Sequence, residues 1–484
     1  MQQPIQYSAE LEPLVQLIED THPTEILERT MEKLRAGVPM TTMLAASALA
    51  VTRSSDLPPG HHGGPLHPVA GLHAINGLSH RLEGEQRFLP ILQHVALSNK
   101  HIHHPEMGPY ILLDFKPLDA GGVEATKAAF LHSCTRGETN KADHFFLWLW
   151  QNIPAIEAFD LLMSVAIPKN ILDDHYFIYP AFTWRALEAI GQEHTAVLMR
   201  PAVRYVARFP KAPNSPEIES LIDDMDLLNK VTRQKSGDDE TAAIGALGEQ
   251  IRAIEDFSKI PVTLAQALAD GLSLDGTAEA MSIGAAGLFM RSLTGNPMDV
   301  HLHTSANLRR YLVGLEGFSL RNKILSILFW HTGPEVKSTQ RRMEPPPQPN
   351  PEVIAALPWM SEDDLLNAVC QSIYDQPPTD WSKVTNLGLM RAVPEVKITI
   401  NLATQYMSLG YSAQKMMTRL GTIVCRDNFT EMHAYKHHQA IVEEYHATRA
   451  PWRDLHVIAG AQAAAISHGK SMENYTGAMD LLHD

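Results

Sequence analysis

The chain has 484 residues, 44% of them hydrophobic and 20% charged, so it carries material for more than one core. A formal net charge of -15 argues against nucleic acid and anionic membrane as main partners, because both select basic surfaces. Three cysteines (Cys134, Cys370 and Cys425) without a CxxC pair argue against a disulfide framework and lead us to expect a reducing compartment. The first residues lack a basic and apolar leader, and no apolar run is long enough to span a bilayer, so a cytoplasmic location is expected.

Taken in order, period-3.6 patterns predict helices over residues 8–20, 24–36, 39–53, 68–83, 87–99, 122–135, 139–151 and 155–166. A Gly/Pro/His segment at 58–65 interrupts them. Pro180 and Pro201 are expected near the starts of two further helices, where proline is tolerated. Residues 210–217 read as a Pro-rich linker and 233–240 as a second hinge. Helices follow at 241–257, 262–271, 276–293, 298–314 and 320–332. The proline run within 333–351 predicts an exposed extended loop. Helices resume at 361–375, 395–408, 412–425, 429–447, 452–468 and 472–482. No alternating strand pattern and no fixed-period repeat is visible. The expectation is an all-α, multi-helical chain. Two packed helical halves, 1–210 and 241–484, or one continuous domain, would surround a central cavity, with 211–240 as the connecting region.

Several common chemistries have no sequence support. There is no GxGxxG after a strand, no HExxH, no GxSxG elbow and no CxxCH. Gly469-Lys470-Ser471 resembles the tail of a P-loop, but position 464 is alanine and no strand precedes it.

Histidine is the anomaly: 24 residues, against 14 Phe, 12 Tyr and 7 Trp. It is the commonest metal ligand and the near-neutral acid/base. A first cluster runs from His61 and His62 through His67 to His73. Pro68 suits a first helical position, which puts His67 at the helix start, and His73, Asn76 and His80 share one face of that helix. In a second, Asn296 to Thr304, His301 and His303 stand about 200° apart on a helix, so only one of them faces a given centre. The other is expected to be structural or exposed. In a third, Asn428 and Glu431 resemble a capping box, and His433, Lys436, His437, Ala440 and Glu444 share one face. The ordinary alternative for that face is a solvated stripe of mixed charge. A ligating lysine must shed its proton or be carbamylated, and burial favours the former. His101 to Glu106 and Asp173 to Tyr176 are weaker clusters.

Together these segments resemble the questin oxidase-like family. His433-Ala434-Tyr435-Lys436 is similar to its HxxK helix, His301-Leu302-His303-Thr304 to its HxxT segment, and Leu66-His67-Pro68 with the following helix to its histidine-plus-small-apolar helix. Pro39-Met40 matches a further element, but the family's preceding histidine is missing: Gly37-Val38 stands there. The resemblance implies an all-helical oxygenase that acts with dioxygen on a small organic, aromatic substrate, with mononuclear non-haem iron held by His67, His301, His433 and Lys436. His73 is the nearest replacement for the missing ligand, and His437 or Tyr435 would be an acid/base neighbour. Two other readings stay open. A di-iron carboxylate site would use ExxH motifs such as Glu443 to His446 and Glu19 to His22. A non-catalytic scaffold would scatter its histidines over the surface. The Ala-rich run 459–466 predicts close helix packing, within the chain or across a homodimer.

Overall fold

The computed structural model is all-α. The structure describes residues 3–56, 64–106, 111–169, 174–208, 215–231, 237–292, 297–330, 343, 349–376, 394–428, 430–469 and 472–483. His61, His62, Asp173, Asn296, the core of the 210–217 linker, half of the 233–240 hinge and nearly all of the 333–351 proline run lie outside these residues. Most predicted helices recur within a turn of their expected ends, and Ala155–Ala166 recurs without change. The only bridges among the described residues are isolated pairs, Pro4 with Leu113 and Ser292 with Met343. No described helix is long and apolar enough to cross a membrane.

The chain divides into two compact units. The first comprises residues 1–170 and 175–214 together with the C-terminal 473–484. Its central helices are α1 (Met40–Ser54), α2 (Leu66–Arg81), α3 (Leu89–His103), α4 (His175–Ile190) and α5 (Thr195–Ala207). Helix α2 is buried from Leu66 to Ile75 and packs against α3 and α4. Pro180 and Pro201 fall inside α4 and α5 rather than at their starts. Each proline forfeits one intrahelical hydrogen bond, a cost that burial of the surrounding apolar face offsets.

The second unit comprises residues 171–174 and 215–472. It contains α6 (Thr241–Arg252), α7 (Leu274–Arg291), α8 (His301–Gly314), α9 (His433–Ala447) and α10 (Asp454–Ser467). Ser273 caps α7 by accepting from the Gly276 amide at 3.0 Å. Small residues let these helices approach closely: a Cβ at Gly284 of α7 would lie 2.4 Å from Ile251 Cγ2 of α6. Gly460 does the same for the Ala-rich α10, where a Cβ would lie 2.3 Å from Ile441 Cδ1 of α9. Helix α8 packs on α7 and α9, and α10 also packs on α7 and α9. Polar side chains on these enclosed faces have to find partners inside the protein.

Candidate metal centre

Helix α9 begins later than the sequence pattern suggests. Glu431 and Met432 both take left-handed backbone conformations, with φ of 48° and 71°, so the helix starts at His433. The helix therefore does not begin where an Asn428/Glu431 capping box would start it. Thr430 supplies the cap instead, its hydroxyl accepting from the Ala434 amide at 3.0 Å. The Asp427 carboxylate accepts in turn from the Thr430 hydroxyl.

This turn fixes the His433 ring. Its Nδ1 lies 2.5 Å from the Thr430 carbonyl, which only accepts, so Nδ1 carries the proton. Nε2 is left with the lone pair, the arrangement found in metal-bound histidines whose other nitrogen is held by a carbonyl. His301, the first residue of α8, places its Nε2 2.9 Å from His433 Nε2. Imidazole nitrogens each about 2.05 Å from one ion, at adjacent corners of an octahedron, would be about 2.9 Å apart. The same spacing suits an N–H···N hydrogen bond from His301 to His433.

Lys436 follows His433 by one turn of α9 and is buried, 2% exposed. Burial lowers its pKa to about 7, Glu431 opposing, so a large fraction of the amine is neutral near pH 7. Tyr435 is also buried, but its hydroxyl senses Cys425 and Asp427. Burial and those groups raise its pKa well above the usual phenol value.

In the first unit, His67 lies in the first turn of α2 and meets His175, the first residue of α4. Their ring centroids are 5.4 Å apart, edge to face, and both residues are buried. Within this unit His67 and His175 each offer a buried ring nitrogen. His73 stacks on Phe182 at 5.2 Å, while His80 is exposed and its Nδ1 contacts the Asn76 carbonyl. His175 belongs to the Asp173 to Tyr176 segment, one of the weaker clusters in the sequence. No spacing links His175 to His67; packing of α4 on α2 does.

His303 is neither on the His301 side nor exposed. It is fully buried, its Nδ1 3.1 Å from His437 Nε2 and its Nε2 2.8 Å from His456 Nδ1. His456 Nε2 continues to Thr448 Oγ1 at 3.1 Å. Burial holds His303 at about 4 and His456 at about 3, so both are neutral imidazoles. Beyond Thr448 stands Glu444, reached by Arg310 at 2.7 Å and Asn307 at 3.0 Å. Burial opposes that carboxylate, but the Arg310 guanidinium outweighs it and keeps the acid at about 2.

The ExxH pairs do not build a carboxylate–histidine site. His446 and His22 are exposed, Glu19 is taken by Arg53 and Ser54, and Glu443 by Gln439 and Asn307. Among the described histidines eleven are buried, including His67, His175, His301, His303, His433, His437 and His456. Comparison of the chain with protein-family models, with curated proteins and with solved structures finds no match.

Proposed function

We propose that the chain is a metal-dependent oxidoreductase, a non-haem iron oxygenase acting with dioxygen on a small aromatic substrate. The observation that carries this reading is the His301–His433 pair, two buried Nε2 atoms 2.9 Å apart, one of them with its proton held on the far side of the ring by a carbonyl. The proposed ligands are His301 and His433, with Lys436 as a neutral amine and His67 as the further ligand that the family resemblance implies. Iron in such an imidazole-rich sphere supplies dioxygen activation when bound. The protein's part is to hold the ring nitrogens deprotonated, to exclude water, and to keep Lys436 uncharged.

The test is iron content together with dioxygen uptake in the presence of hydroxylated polycyclic aromatics. We expect about one iron per chain and uptake that depends on the aromatic. A folded protein that neither retains Fe(II) nor consumes dioxygen overturns the proposal.

A further inference from the structure

His437, His303, His456 and Thr448 form one uninterrupted row of contacts of 3.1, 2.8 and 3.1 Å. All four are buried. The two ends differ. At one, His437 Nδ1 is buried and makes no hydrogen bond. At the other, Thr448 Oγ1 accepts from Arg310 Nη1 at 2.8 Å, and the same guanidinium reaches the surface, where Nη2 donates to the Ala447 carbonyl. His437 and Thr448 are eleven residues apart along α9 and its C-cap, about 16 Å of helix. Structural satisfaction of buried rings does not require such a row. His94, equally buried, is satisfied by one hydroxyl and one carbonyl, Ser47 and Pro68.

We infer that this row is a proton conduit between the protein surface at the C-terminal end of α9 and His437 Nδ1 in the interior. A neutral imidazole donates from one nitrogen and accepts at the other, so the row has only two self-consistent arrangements. In the first, Thr448 donates to His456 Nε2 and every ring carries its proton on Nδ1. A proton taken up at His456 Nε2 then sends the Nδ1 proton to His303 Nε2. That ring passes its Nδ1 proton to His437 Nε2, and His437 gives its own Nδ1 proton to a water or to a basic oxygen of a bound substrate that reaches it. One N–H bond forms and one breaks on each ring, and each ring starts and ends neutral. The Thr448 hydroxyl regains its proton from water.

Passage leaves every ring protonated on Nε2, the second arrangement. The row then carries the next proton the other way, in at His437 Nδ1 and out at Thr448. Such a device suits a reaction that receives a proton at one step and surrenders one at another. That use rests on the proposed oxidation; the conduit itself does not, and it is measured without turnover.

The experiment is solvent deuterium exchange of the ring N–H groups in the full chain as purified, labelled with 15N-histidine and followed by NMR. The conduit predicts that His303 and His437 exchange far faster than the equally buried His94. Thr448→Val slows them by an order of magnitude or more, Thr448→Ser restores them, and backbone amide exchange in α9 is unchanged throughout. Wild-type exchange as slow as that of His94 overturns the inference, as does fast exchange that survives Thr448→Val. Failure of iron binding alone would leave the exchange result intact and count only against the oxygenase reading.

Discussion

His433 Nε2 lies 2.9 Å from His301 Nε2, although the two residues are 132 positions apart, because α8 and α9 both begin at the place where they meet. The His433 ring is oriented by its own preceding turn, through the Thr430 carbonyl. His301→Ala and His433→Ala should each weaken Fe(II) or Co(II) binding by more than about a hundredfold, beyond the loss typical of outer-sphere partners. His438→Ala, on the same helix but bound to the Met417 carbonyl, should leave affinity nearly unchanged. Metal titration of the three variants reads the difference.

Thr430→Ala removes the hydroxyl that caps the Ala434 amide and binds Asp427. We expect a loss of about 1 kcal/mol in denaturant unfolding. Because the same turn orients His433, metal affinity should fall about tenfold in parallel. Loss of stability with unchanged affinity would separate the cap from the site.

Lys436→Met keeps the length of the side chain and removes the buried amine. In the wild-type chain the folded pKa lies near 7, below the unfolded value of about 10.5, so the unfolded chain binds the extra proton between those limits. Wild-type stability therefore falls as pH drops from 10.5 towards 7 and levels off below that. The methionine variant without metal should be the more stable of the two at pH 7, with its advantage gone by about pH 10.5. Denaturant midpoints across that range test this, and metal titration should show weakened binding in the same variant.

Acid should weaken both units. Burial depresses His94 and His101 in the first unit to about 4, and in the second His303 to about 4 and His456 to about 3. Each stays neutral when folded but takes a proton when unfolded, so its contribution is present above the ordinary value near 6.5 and is lost as pH falls towards 4. Each such histidine should cost about 1.4 kcal/mol per pH unit within that window. Unfolding of the protein without metal at pH 7, 6 and 5 measures the slope.

Gly284→Ala should destabilise by about 1–3 kcal/mol, because the new methyl meets the branched stem of Ile251 and neither helix can yield easily. Gly314→Ala, with nothing within 4 Å, should instead gain a few tenths of a kcal/mol, up to about 1, from helix propensity. Thermal unfolding distinguishes the two signs.

The helices were legible because apolar period and capping residues act locally, as at 139–151 against Thr139–Asn152. Burial of α2 and α9 was partly legible from their apolar faces. The helix start at His433 was not, since two left-handed residues took the place of a capping box. The partners of His303 were also hidden. His456 and Thr448 carry no spacing signal towards it, and only the packing of α8 and α10 on α9 joins them. His175 meets His67 for the same reason, through the docking of α4 on α2.

The central claim is tested most directly by X-ray absorption at the metal edge of the iron- or cobalt-loaded protein. The expected result is a first shell of nitrogen donors with the outer scattering of several imidazole rings, reduced in His301→Ala and in His433→Ala. A shell of oxygen donors alone, or one unaltered by both substitutions, would contradict it.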